Sequence, residues 1–138
     1  RVDFAVGCTY KFLNAGPGTE MVLYEAAAHG LASTVSGGHL WEAAVAHNKT
    51  RNYATPLEAR LACEVGHAAA RQGMTRIQAN EIVLKLLEKY EEQIADAPMG
   101  KPFQECYDVR AGRPMPWYLD LFKKVKDEVA ALGVAFPY

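Results

Sequence analysis

Cysteine is scarce in this chain. Cys8, Cys63 and Cys106 are the only three in 138 residues. Their odd number and wide spacing exclude a disulfide framework and a zinc-ligand spacing, and they suit a reducing, cytoplasmic setting. No apolar run is long enough to span a bilayer. The formal net charge of −1 gives no electrostatic reason to expect nucleic acid or a membrane surface as partner. Neither a GxGxxG nor a GK[ST] phosphate motif occurs, and internal repeats and low-complexity segments are absent. The sequon "NKT" at Asn48 is not read as a glycosylation site in a chain of this kind. An initiating methionine is also missing, for Arg1 leads straight into the apolar run "VDFAVGCTY". That start suggests a piece of something longer.

What is present is an ordinary globular composition, half apolar and 22% charged. "VDFAVGCTY" (Val2 to Tyr10) is short and partly β-branched, as a buried strand is. Asn14 to Gly18 is a turn. Thr19 is placed to cap a helix with Glu20 in its positive first turn, and Met21, Leu23, Ala27, Leu31 and Val35 follow near helical spacing until "SGG" ends the run. "HLWEAAVAH" (His39 to His47) is ambiguous: its alanines favour helix, but its shortness and glycine-bounded start allow a buried strand. "TPLE" at Thr55 to Glu58 combines a cap, a proline at the first helical position and a capping-box glutamate, opening a helix to about Gly73. "TRIQ" at Thr75 opens another, expected to turn Ile77, Ile82, Leu86, Tyr90 and Ile94 inward and Glu81, Lys85, Glu88 and Glu92 outward until Pro98 stops it. "PMGKPFQECYDV" is a compact connection. A last helix opens near Pro116, with Trp117, Leu121, Val125, Val129 and Leu132 on its apolar side. One strand–helix–strand unit cannot close a sheet or cover both its faces, which again points to part of a larger α/β protein.

Few constellations could carry chemistry. Glu64 and His67 have the Glu-x-x-His spacing of di-iron bundles, but such sites need the motif twice, and the plainer reading is a surface acid–base pair. Glu25 and His29 form a similar i,i+4 pair. No metal site is therefore assigned. "NAGPG" is a tight strand-to-helix turn rather than a phosphate cradle, and Cys8 lies in an apolar run, where a thiol is inert. Tyr10, Lys11, His47 and Lys49 stand at the expected exits of the two candidate strands, and strand exits build active sites in α/β barrels.

Several stretches together carry a family resemblance: "AGPGTEM" at Ala15, "LEARLACEV" at Leu57, "APMGKPFQECYDV" at Ala97 and the ending "LGVAF". They resemble the C-terminal part of monomethylamine methyltransferase, the pyrrolysine-containing methylamine:corrinoid protein methyltransferase family, from about Tyr10 to Phe136. The resemblance implies a (β/α)8 TIM-type barrel of which these 138 residues form a helix-rich C-terminal fragment with two short parallel strands, "HLWEAAVAH" being the eighth. It implies transfer of the methyl group of monomethylamine to the cobalt of a cognate corrinoid protein, feeding methanogenesis. The corrinoid is carried by that partner, and this chain itself binds no cofactor. Assembly with further copies of the chain is also expected.

The family's pyrrolysine and active-site glutamates would lie upstream of Arg1. An electrophilic imine there would capture the amine, and positioning and electrostatics at the barrel mouth would then serve methyl transfer. The substrate-binding share of this chain would be Thr9, Tyr10, Lys11, His47 and Asn48, within a loop running on to Asn52. As aligned, the family has a glutamine just before the Gly-Pro turn where this chain has Tyr10, a longer and flatter group than an amide. The alternatives are a paralogue acting on a different methylated amine and a non-catalytic barrel remnant serving as an interaction or oligomerisation module.

Overall fold

The computed structural model describes residues 11–38, 43–45 and 52–137. Strand β1 (Lys11–Leu13) leads through a turn to helix α1 (Glu20–Val35), followed by β2 (Ala43–Val45), α2 (Pro56–Gln72), α3 (Arg76–Leu87), a 3-10 turn (Glu91–Asp96), the one-turn helix α4 (Phe103–Cys106), a hairpin of β3 (Tyr107–Asp108) and β4 (Arg113–Pro114), and α5 (Pro116–Ala131). β1 and β2 pair in parallel, with Leu13 opposite Val45, so both strands leave the ladder at the same end. β3 and β4 are antiparallel. The expected strand over Val2–Tyr10 lies outside the described residues. The ladder that is described falls just after it, because Phe12 and Leu13 prolong the apolar run and the turn waits for Asn14. "HLWEAAVAH" resolves at its centre as strand β2.

Helix α1 begins where expected. Thr19 accepts from the Val22 N–H at 3.3 Å and donates to the Gly16 carbonyl at 2.8 Å. It differs from the amphipathic reading, however, in being buried on nearly all sides, with every residue from Met21 to Ala28 inside. The reason is its place: it contacts β1, α2, α3 and α5, and so is the central element of the described fold. A helix apolar all round belongs in a core. Its alanines face a second small-residue run on α2, where Ala62, Gly66 and Ala69 are also buried. Closest approach falls at Gly30, where a Cβ would stand 2.5 Å from the Ala62 carbonyl oxygen.

α2 and α3 begin at complete capping boxes, Thr55 with Glu58 and Thr75 with Gln78, as read from the sequence. α3 is shorter than expected. It ends at Leu87, and the 3-10 turn replaces its last stretch, so the register breaks. Ile82, Leu86 and Tyr90 are buried, but Ile77 is 75% exposed and Ile94 is exposed as well. The core stripe of α5 is likewise rotated from the expected one. Tyr118, Phe122, Val125 and Val129 are buried, whereas Trp117 is exposed and Leu121 and Leu132 are half-buried. The sequence offers apolar residues at both 117/121 and 118/122, and packing against α1 and α2 selects the second pair. Phe122→Ala should therefore cost about 3–5 kcal/mol in urea unfolding and Leu121→Ala clearly less. Equal losses, or the reverse order, would contradict this register.

The turn after β1 is fixed by a second piece of chain lying across it. Pro98 to Phe103 passes over the turn, with Gly16 N–H donating to the Pro98 carbonyl at 2.9 Å and Lys101 N–H to the Pro17 carbonyl at 2.8 Å. A Cβ at Gly16 would stand 1.7 Å from the Met99 carbonyl oxygen. Gly100, at φ +71°, would place a Cβ 2.4 Å from the Gly16 carbonyl carbon. Both contacts are with backbone, which cannot turn aside as a side chain can. Gly16→Ala should accordingly destabilise the protein by about 3 kcal/mol or more, measured by chemical denaturation. A loss below about 0.5 kcal/mol, the range of surface sites, would mean that the two segments do not cross at this distance.

Candidate active site at the strand exits

Because β1 and β2 run in parallel and in register, Leu13 and Val45 end the ladder side by side. The segment 98–115 covers this end. Besides its two bonds to the turn, it reaches the other exit through Phe103 N–H, which donates to the Asn52 carbonyl at 2.8 Å. The starts of α1, α2 and α5 converge beneath it. Trp117 lies over Gly18, where an added Cβ would come within 2.7 Å of the indole ring. Lys101 Nζ sits 5.8 Å from the indole ring centroid, and Phe103 stacks on Tyr107 at 5.1 Å.

Two buried carboxyl groups organise this end. The first is Glu25, in the interior of α1. Its Oε1 accepts from the Asn14 backbone N–H at 3.0 Å and from the Asn14 side-chain amide at 2.7 Å, and its Oε2 accepts from the Ala15 N–H at 3.0 Å. These are the first donors freed as the chain leaves the ladder, so Glu25 terminates β1 and orients Asn14, which is exposed at the exit. The second is Glu58, only 1% exposed. Its Oε2 accepts from the Thr55 N–H at 3.1 Å and contacts the Thr55 hydroxyl, which in turn lies 3.3 Å from the Tyr118 hydroxyl. Burial pushes the Glu58 carboxyl above its ordinary value, outweighing the bonds from Thr55, its own backbone and Tyr118.

Burial also raises the neighbouring groups. The Cys106 thiol is pushed up to about 12 and the Tyr107 phenol to about 12, while Tyr118 is carried well above the ordinary tyrosine value. Cys106 is thus a closed thiol at neutral pH, with Sγ directed at the Lys101 carbonyl, 3.8 Å away. A thiol in that state is no nucleophile.

Of the residues singled out in the sequence, Thr9, Tyr10, His47 and Asn48, with Lys49 and Cys8, lie outside the described residues. Lys11 was expected at a strand exit. It opens the ladder opposite Ala43 instead, and the exit comes three residues later, at Asn14. The sequence reading missed Glu25 and Asn14 as a pair. It also missed the burial of Glu58 and the part played by Tyr118. A signal for Glu25 was there: a lone acid inside an apolar helix, between Tyr24 and three alanines, needs donors from another segment. For Tyr118 there was none, since its partner is 63 positions away.

The Glu-x-x-His spacing leads elsewhere. Glu64 is buried between Arg60, at 2.6 Å, and Lys126 of α5, at 2.7 Å, while His67 is exposed. Among the described residues no group of three or more His, Cys, Asp or Glu side chains is arranged to hold a metal ion. Burial alone would raise the Glu64 carboxyl, but the hydrogen bonds and charges of Lys126 and Arg60 prevail and hold it below the ordinary range. A folded value below the unfolded one stabilises the protein above the unfolded pKa and is lost as pH falls through the folded one. The stability difference between wild type and Glu64→Gln should therefore shrink between about pH 6 and about pH 3. A difference independent of pH in denaturant titrations would show that the ion pair does not form.

Comparison with known proteins matches this architecture to one family. The family model for monomethylamine methyltransferase MtmB covers residues 2–134. Monomethylamine methyltransferase MtmB2 of Methanosarcina acetivorans is 40% identical over 88% of this chain, and MtmB of Methanosarcina mazei is 37% identical over the same share. The crystal structure of the Methanosarcina barkeri monomethylamine methyltransferase superposes with a TM-score of 0.76 at 38% identity, and so does that of a hydroxylamine complex of MtmB. In each case 88% of this chain is covered but only 26% of the relative, so the chain spans about a quarter of the length of the proteins it matches. With a family match from the second residue to within four of the last, and a shared fold at that level of identity, the chain belongs to the monomethylamine methyltransferase family.

Proposed function

We propose that this chain is the C-terminal part of a (β/α)8-barrel enzyme that transfers the methyl group of monomethylamine to the cobalt of a corrinoid carried by a separate protein. The observation that carries the reading is the shared end of β1 and β2. Two parallel strands leave the sheet side by side, and the helix after each is capped at that end. That is the arrangement of successive units in a barrel, whose active site is built from the loops at the carboxyl ends of the strands. Within this reading β1 and β2 are the last two barrel strands and α1 and α2 the helices after them. The group that captures the amine, a pyrrolysine in the resembling family, and the acidic residues around it belong to the upstream part. A cytoplasmic setting, a homo-oligomeric assembly and a role in methanogenesis from methylamines complete the proposal.

The share of this chain is geometric and electrostatic. The Glu25-bound turn and the capped start of α2 give the mouth two fixed walls, and little reorganisation is then needed as charge moves off the amine. Tyr10 is the specificity residue in this reading, standing where the aligned family position is a glutamine. Tyr10→Gln in the longer protein should change the relative rates of methyl transfer from mono-, di- and trimethylated amines to the corrinoid partner, with folding and partner binding unaltered. Unchanged preference and rate would remove Tyr10 from the site. No transfer from any amine, by variant or wild type, would favour the non-catalytic barrel remnant.

A further inference from the structure

We propose that Glu58 is a positioning residue for this site, a buried and uncharged carboxyl that, through Thr55 and Tyr118, holds the two strand-exit segments in fixed relation. The inference rests on the reading of the strand exits as the catalytic end. Three observations carry it. First, Glu58 is almost wholly enclosed, and its Oε1 has no hydrogen-bond partner. An ionised oxygen left in that state would cost far more than the carbonyl oxygen of a neutral acid. Second, among the described residues no cation sits against Glu58 to offset a charge. The groups that act on Glu58 are Thr55, its own backbone and Tyr118. Facing it from the covering segment are Cys106 and Tyr107, both of which stay neutral. The nearest basic residue on its own helix, Arg60, is committed to Glu64 and to the face of Phe122. Lys101, on the covering segment, pairs with Glu105.

Third, the contacts of Glu58 run through both walls of the mouth. Thr55 belongs to the segment arriving from β2. The Tyr118 hydroxyl joins Thr55, and the neighbouring residue on α5, Trp117, lies over Gly18 of the turn after β1. A capping-box glutamate is ordinarily a surface group that stabilises only its own helix. This one has been drawn under the covering segment and joins the start of α2 to α5. In the neutral form its proton lies between Oε2 and the Thr55 hydroxyl, which is then free to donate to the Tyr118 hydroxyl. Ionisation would put charge on an enclosed carboxyl whose Oε1 has no hydrogen-bond partner, and would strain the junction of α2 with α5.

Two measurements on the longer protein test this. In the infrared difference spectrum between wild type and Glu58→Gln at neutral pH, the proposal expects a protonated-carboxyl C=O band present only in wild type. Tyr118→Phe, which keeps the ring and deletes the hydroxyl, should shift that band. Absence of the band would overturn the proposal whatever the enzyme does, and an unshifted band in Tyr118→Phe would break the link to α5. In methyl-transfer assays the proposal expects the rate of wild type, and not that of Glu58→Gln, to fall on the alkaline side of neutrality; parallel pH profiles for the two would contradict it. Glu58→Ala should lower kcat by on the order of 100-fold, the cost of misplacing the walls by about an ångström. A Glu58→Ala protein that melts earlier but turns over normally would reduce Glu58 to a structural cap. A wild type that shows the band but transfers no methyl group would leave the neutral acid standing and refute the functional reading instead.

Discussion

The backbone crossing of Gly16 by Gly100 is the constraint on which the described structure depends. At this point the turn after β1 and the chain returning after α3 touch without side chains between them, joined by the bonds Gly16 to Pro98 and Lys101 to Pro17. Everything at the strand exits is referred to that contact. It sets the height of the covering segment, and so the position of Phe103 against Asn52, of Trp117 over Gly18 and of Cys106 and Tyr107 over Glu58. The sequence "NAGPG" is thus explained by close approach rather than by anion binding. Asn14 and Ala15 supply N–H donors to Glu25, Gly16 admits the second backbone, and Thr19 begins the helix.

Three buried acids show how one core holds carboxyl groups in three ways. Glu25 is met by three donors from a turn. Glu64 is met by two cations, one from its own helix and one from α5. Glu58 is met, among the described residues, by hydroxyl and backbone groups and no cation, and burial pushes it toward its neutral form. A fourth acid, Glu128, is more open. The hydrogen bond from Lys89 and then that from Tyr24, at 2.6 Å, hold it below the ordinary range, while burial and the same contact raise Tyr24. Lys124 joins Glu20 and Glu128 beside it, so α1 and α5 are tied at the surface as well as in the core. Exposed pairs of this sort contribute little each. The buried ones matter more, because removing one partner leaves the other stranded.

Local chemistry in the sequence located the helix starts well. Thr19, Thr55 and Thr75 cap as read, since an N-cap is decided by the residues within one turn of it. Core faces were harder. Ile77 and Ile94 were expected inside and are exposed: Ile77 stands off the Ala79–Ile82–Leu86 stripe that α3 buries, and Ile94 falls in the 3-10 turn, where the helical register is lost. Tyr118 and Phe122 displace Trp117 and Leu121, because two apolar stripes lie next to each other on α5 and only tertiary contact chooses between them. The all-round burial of α1 could not be separated from an amphipathic pattern, since alanine fits either. At the site, the turn was legible and its partners were not. Glu25 to Ala15, Thr55 to Tyr118 and Gly16 to Pro98 span 10, 63 and 82 positions, and no local rule pairs residues across such distances.

The central claim is that the end of the sheet where Leu13 and Val45 leave the ladder faces the reacting amine. The most direct test is a crystal structure of the protein with a bound amine or hydroxylamine. The account places the ligand on the strand-exit side, nearer to the Asn14–Thr19 turn and the start of α2 than to any other described element. A ligand at the opposite end, among Gln72, Gln78 and Gly133 where α2, α3 and α5 meet, would contradict it.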